Sequence, residues 1–234
     1  MDQINNTKST YSERFRERAL SPHNYPGEWV IRTLLGNYPE LKTKMNFKKS
    51  SKVLDLGFGD GRNWSLLNNM ELAIFGVDIS SEIIESGYIQ ANKLGISDIT
   101  LSMGRNSHIP FGNDYFDLIL ASNSFYYIDK DVSFEDHLKE ISRVGKKDSV
   151  FVASLPRVEK NFLFKNASHL ENGIYLINND PHLLRNGYRL RGFNNKNEIK
   201  DVFDDVLYNI SIAHLYSDYF NYEISQFIIT GNLK

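Results

Sequence analysis

Lys52-Val53-Leu54-Asp55-Leu56-Gly57-Phe58-Gly59-Asp60-Gly61-Arg62-Asn63 is the stretch that decides how this chain folds. Residues 53–56 are apolar apart from Asp55 and read as a short buried strand. Glycines follow at alternate positions, and a helix is predicted from about Arg62 through Trp64, Leu66 and Leu67. A strand, a glycine turn and a helix start bring backbone close to a ligand. Asp55 falls near the strand's C-terminal end, where open α/β sheets bind ligands. A dinucleotide fingerprint would place the third glycine one residue later, where this chain has Arg62. Asp55 would also repel a diphosphate and suits a ligand with a positive group.

Downstream, Leu72-Ala73-Ile74-Phe75-Gly76-Val77-Asp78 reads as a second strand ending in a carboxylate, a position suited to ribose hydroxyls. Ser80 is the better cap for the helix that follows over 81–94, and Gly95 stops it. Its apolar face is expected to carry Ile84, Gly87, Tyr88, Ala91 and Leu94. Further strands are predicted over 98–104, 117–121, 149–155, 205–213 and 225–230, with helices over 137–144 and 196–203. This alternation predicts a doubly wound, mostly parallel sheet of seven strands. Upstream, residues 1–10 are expected to be disordered, and 11–20 to form a charged face with Arg14, Arg16 and Arg18. Pro26 reads as the first position of a helix whose face carries Val30, Ile31, Leu34 and Leu35.

Asp55 with Gly57, Phe58, Gly59 and Gly61, and then Asp78 with Ile79, together resemble the first two motifs of class I S-adenosylmethionine-dependent methyltransferases. Ile109-Pro110-Phe111, Phe116-Asp117-Leu118-Ile119 and Leu138-Lys139-Glu140-Ile141-Ser142-Arg143-Val144 resemble segments of the members related to ubiquinone and menaquinone biosynthesis enzymes. The resemblance implies a Rossmann-like methyltransferase fold, with the last strand inserted antiparallel between strands five and six. It implies S-adenosyl-L-methionine as cofactor, S-adenosyl-L-homocysteine as product, and no metal. In the family the glycine loop wraps the methionine part of the cofactor, and the second acidic residue holds the ribose. Ser122 and Asn123, after the fourth strand, complete the implied set. One position departs. Where the family usually has an acidic residue facing the adenine amino group, this chain has Arg105, which cannot accept that bond. Backbone groups, the Asn106 side chain or stacking on the guanidinium are the alternatives for adenine, and Arg105 itself is otherwise a surface residue or one that grips an anionic substrate.

Residues 1–50 resemble a helical cap over the cofactor, with Tyr11, Tyr25 and Trp29 as candidate lining, and 51–234 then form the methyltransferase domain. Residues 156–193 have little periodicity and are rich in His, Asn, Arg and Tyr; so long an insert is expected to shape a substrate pocket. The loop after the fourth strand should face the reacting group, which makes Tyr126 a candidate. Among the histidines His108, His137, His169, His182 and His214, the two in the insert, His182 and His169, are the better candidates for a base. The expected acceptor is a hydroxyl or amine on a small polar metabolite, for example a sugar or sugar nucleotide.

Composition narrows the classes. The 234 residues suit one α/β domain with an appended lid. With no cysteine, disulfides, thiolate catalysis and Cys-ligated zinc are excluded. The formal net charge of −2 gives no drive toward nucleic acid or an anionic membrane. No apolar run nears the roughly 18 residues of a membrane span, and the start is polar, so a cytoplasmic protein is expected. A homodimer is compatible with the sequence. An RNA (tRNA) methyltransferase would need a basic patch or an added binding domain, and neither is evident. A non-catalytic module that binds S-adenosylmethionine or S-adenosylhomocysteine stays open.

Overall fold

The computed structural model describes residues 24–234, and the expectations for Tyr11, for the arginines at 14, 16 and 18 and for 1–10 lie outside these. The main sheet has seven strands in the order β3-β2-β1-β4-β6-β11-β10. They are β1 (Lys52–Leu56), β2 (Ala73–Asp78), β3 (Ile99–Met103), β4 (Phe116–Ala121), β6 (Gly145–Pro156), β10 (Leu207–Tyr219) and β11 (Tyr222–Leu233). β1 pairs in parallel with β2 and β4, β2 with β3, and β4 with β6. β11 runs antiparallel to both of its neighbours, β6 and β10, in the place expected for the last strand.

The central strands are largely apolar because both sheet faces are covered. Leu54, Leu56, Ile119, Ala121, Phe151 and Ala153 belong to one core. Val53, Leu118, Leu120, Val150 and Val152 alternate with them and belong to the other. Helices α4 (Phe134–Val144) and α5 (Lys196–Phe203) cover the first core. The second is covered by α1 (Glu28–Leu35), α2 (Trp64–Asn69) and α3 (Ser81–Lys93). Each buried leucine- or phenylalanine-sized chain contributes about 1.5–3 kcal/mol.

Several boundaries and two faces differ from expectation; on α1, Trp29, Val30 and Leu34 are buried, whereas Ile31 and Leu35 are exposed. α1 begins at Glu28, with Gly27 rather than Pro26 at its start. α4 begins three residues before the expected His137, because Ser133 and Asp136 form a reciprocal capping box. The face of α3 is turned: Ile83, Ser86, Gly87, Gln90 and Ala91 are buried, and Tyr88 is about half exposed. Gly87 sets this orientation, since a Cβ there would lie 2.8 Å from Leu101 and 2.9 Å from Phe58. Tyr88 instead reaches the edge strand, where its hydroxyl meets the backbone of Leu101.

The segment 156–193 carries short strands. β5 (Tyr127–Ile128), from the loop after β4, joins β7 (Ser168–His169), β8 (Ile174–Leu176) and β9 (Arg189–Arg191) in an antiparallel sheet ordered β5-β9-β8-β7. A small core of Tyr126, Leu163, Phe164, Ile177 and Leu190 lies under it. Arg191 ties it down: the guanidinium pairs with Glu198 of α5 at 2.9 Å and stacks on Phe193.

Candidate functional site

The site is built at the C-terminal ends of β1, β2 and β4. After β1 the chain turns through Gly57, Gly59 and Gly61 with φ of 71°, 57° and 65°, a left-handed backbone that glycine adopts without strain. There is no room for more at two of these. A Cβ on Gly57 would sit 2.4 Å from the Ser124 Cβ, and one on Gly61 2.6 Å from the Trp64 ring. Asp78 holds the loop in place. One carboxylate oxygen accepts from the Gly59 N–H at 2.9 Å and the other from its neighbour Ile79 at 2.7 Å. A carboxylate can accept about four bonds, so capacity remains on the cavity side. Burial pushes Asp78 up to about 6, against the pull of those two backbone bonds.

Asp55 is the anomaly. It is buried, and neither carboxylate oxygen has a hydrogen-bond partner. Desolvation pushes it up to about 7, helped by repulsion from Asp60 and Asp78. The indole N–H of Trp64 works against that rise without closing a hydrogen bond. Buried polar groups are normally satisfied, so an orphaned carboxylate one residue from the cavity lining calls for a donor or a positive charge.

A cavity of about 550 Å³ opens over the loop. Of the predicted cofactor residues, Gly57, Phe58, Gly59, Asp78, Ile79, Arg105, Asn106, Ser122 and Asn123 line it. Asp55 and Gly61 are not part of the lining. The Phe58 ring points away into the core, against the positions of Gly76 and Gly87 and 5.1 Å from Trp64, so only its backbone serves the cavity. Asn106 donates to the Ser124 carbonyl at 2.9 Å. The Asn123 side chain accepts from the buried Ser154 hydroxyl at 3.0 Å, and its backbone N–H donates back to that hydroxyl at 2.8 Å. Arg105 pairs with Asp129 at 3.3 Å.

The candidate bases divide. His182 lines the cavity, with its ring 5.2 Å from that of Tyr222. His169 does not: it lies on β7, at the far edge of the small sheet, against Tyr175. Tyr126 lines the cavity, but burial pushes its phenol far above the usual range. A phenol so raised holds its proton and can donate a hydrogen bond. His137 is buried against the Phe125 carbonyl, and desolvation lowers its pKa.

Other residues of the site were not singled out from the sequence. Asp60, buried, holds Arg62 in an ion pair at 2.5 Å. Its carbonyl accepts from Asn24, and Asn63 accepts from the Gly27 N–H, so the segment before α1 is bonded to the glycine loop. Asp180, fully buried, accepts from the backbone N–H groups of His182 and Arg185 and from the Arg185 guanidinium. Arg185 in turn donates to the Tyr127 hydroxyl at 3.0 Å. Asp180-Pro181 is a turn signal, but nothing local says which side chains such a turn presents.

A family model described as a methyltransferase domain matches residues 47–204, more than half of the chain. The chain belongs to the methyltransferase-domain family. The uncharacterized methyltransferase YcgJ of Bacillus subtilis is 29% identical over 101 residues, a match covering 43% of this chain and 39% of that relative. Among solved structures, a Methanosarcina mazei S-adenosylmethionine-dependent methyltransferase superposes with a TM-score of 0.63 at 17% identity, covering 84% of this chain and 98% of that one. A Haloferax volcanii methyltransferase, solved in complex with the Trm112 methyltransferase activator, gives 0.63 at 17% identity over 94% and 97% of the two chains. These likenesses are of fold, and the fold is that of the class I S-adenosylmethionine-dependent methyltransferases. Among the described residues no cluster of His, Cys, Asp and Glu forms a metal site, and no helix is long and apolar enough to cross a membrane.

Proposed function

We propose that this methyltransferase moves the methyl group of S-adenosylmethionine to a hydroxyl or amine of a small polar metabolite, a sugar or sugar nucleotide being one such acceptor. The observation that carries the reading is that two sets of residues line one cavity. The glycine loop and Asp78 line one part of it; Asn161, Phe162, His182, Tyr222 and Gln226 line another. Its volume of about 550 Å³ falls within the ordinary range of small-molecule sites. The orphaned Asp55 and the close-packed glycine turn fit the cofactor.

In this reading the turn of Gly57, Gly59 and Gly61 holds the methionine part, and Asp55 supplies negative charge beneath it. Asp78 takes the ribose hydroxyls while still bonded to Gly59. The bound cofactor supplies an electrophilic methyl on a good leaving group, so the protein's task is alignment and exclusion of water. The segment bonded to Asp60 and Asn63 closes over the cofactor as a cap, and the insert 156–193 forms the acceptor wall. His182 receives the proton that a hydroxyl or ammonium acceptor gives up. Tyr126 donates to the acceptor.

Calorimetric titration tests the reading. S-Adenosylmethionine and S-adenosylhomocysteine are expected to bind near micromolar, about −8 kcal/mol, and NAD not at all. Absence of binding by both overturns it. Labelled methyl transfer into a polar-metabolite fraction, and not into RNA, is the expected second result.

A further inference from the structure

One pair on the cavity wall is not needed to hold the glycine loop. Arg105, two residues past β3, faces Asp129, which follows β5, with Nη1 to Oδ2 at 3.3 Å; both line the cavity. The side chains are 61% and 47% exposed, and a pair that open contributes little to stability. Their backbones are nevertheless fixed. Arg105 and His108 exchange both backbone hydrogen bonds, at 2.9 and 3.0 Å. Asp129 directly follows Ile128, which is paired with Arg189 in the small sheet. The structure therefore presents a donor and an acceptor side by side at a set place.

That place adjoins the end of β2: Gly104, the residue before Arg105, donates its N–H to the Asp78 carbonyl at 2.9 Å. Next to Asp78 is Ile79, an isoleucine left 41% exposed while lining the cavity. The wall thus offers a carboxylate suited to ribose, an apolar side chain suited to a flat base, and a paired carboxylate and guanidinium. Adenine carries an exocyclic amine, a donor, beside a ring nitrogen that accepts. A carboxylate can accept from the first, and a guanidinium can only donate, as the second requires. The neighbouring Asn106 uses its amide N–H on the Ser124 carbonyl.

We propose that Asp129 reads the adenine of the cofactor, its carboxylate accepting from the exocyclic amine while Arg105 donates to the adjacent ring nitrogen. The inference rests on the cofactor reading above. It also accounts for the arginine at 105: the carboxylate that the resemblance puts there comes instead from the neighbouring loop, and Arg105 holds it.

The test is calorimetric titration of wild type, Asp129→Ala and Asp129→Asn with S-adenosylhomocysteine and with S-inosylhomocysteine, in which a carbonyl oxygen replaces the amine. Wild type is expected to prefer the adenosyl ligand by about tenfold or more. Asp129→Ala should bind the adenosyl ligand about tenfold more weakly and lose most of the preference. Asp129→Asn, whose amide can also donate to the inosyl carbonyl, should narrow it. Unchanged melting temperatures check the fold of both variants. Wild-type affinity and preference in both overturn the inference alone. Failure of wild type to bind S-adenosylhomocysteine overturns the cofactor reading, and this inference with it.

Discussion

Replacing Asp55 with asparagine should make the ligand-free protein more stable at high pH, although the residue sits in the most motif-like part of the chain. Burial raises its pKa from 3.8 to about 7. A folded-state value above the unfolded one, for a carboxyl, means that stability is greatest while the group is protonated. It is lost as the pH rises from the unfolded value through the folded one. At about 1.4 kcal/mol per tenfold, the loss is about 4 kcal/mol once the pH exceeds both values. Most of it, about 3 kcal/mol, falls between about pH 5 and pH 8. Asparagine does not titrate, though its amide inherits the lack of partners at a cost of about 1–3 kcal/mol at every pH. The clean quantity is therefore the pH dependence of the difference between the two proteins. Asp78, also raised by burial, titrates in both and largely cancels. Denaturant unfolding at pH 5, 6, 7 and 8 measures it. Wild type should lose about 3 kcal/mol relative to Asp55→Asn over that span, and saturating S-adenosylhomocysteine should shrink the gap. Parallel profiles would refute the claim that Asp55 is an uncompensated buried carboxylate waiting for a positive partner.

Other expectations follow from the same site. Asp78→Ala removes the acceptor for the Gly59 and Ile79 N–H groups, so S-adenosylmethionine affinity measured by calorimetry should fall at least about tenfold. Gly57→Ala puts a methyl 2.4 Å from the Ser124 Cβ at a φ of 71°, and should cost about 2–3 kcal/mol by denaturant midpoint. His182→Ala should slow methyl transfer by about a hundredfold while cofactor binding holds, and His169→Ala should change neither.

The sheet was legible because its central strands are buried on both faces and bounded by glycine or aspartate, which leaves apolar runs with clear ends. Asp55, Asp78 and the glycines stand at those ends, so this part of the candidate site could be read along the chain. The insert could not. Its strands are two or three residues long, too short for any period to show, and they are ordered by pairing with β5, far away in sequence. For the same reason His169 and His182 looked equivalent: β7 carries one away from the cavity, and the turn held by Asp180 brings the other to it. The turned face of α3 shows another limit. Apolar spacing put Tyr88 inside, but the close approach of Gly87 to Leu101 and Phe58 determines which side faces the sheet.

The pairing of β5 with β9 has a consequence for anyone wishing to retarget this enzyme. Tyr127 and Ile128 belong by sequence to the loop after β4, yet their backbone partners are Leu190 and Arg189 at the end of the insert. The Tyr126 carbonyl accepts from the Arg191 N–H as well. A chimera that exchanged 156–193 alone would strip hydrogen bonds from the loop that also carries Asp129. The transplantable unit is discontinuous: 126–129 pair through their backbone with 189–191 and belong with the insert.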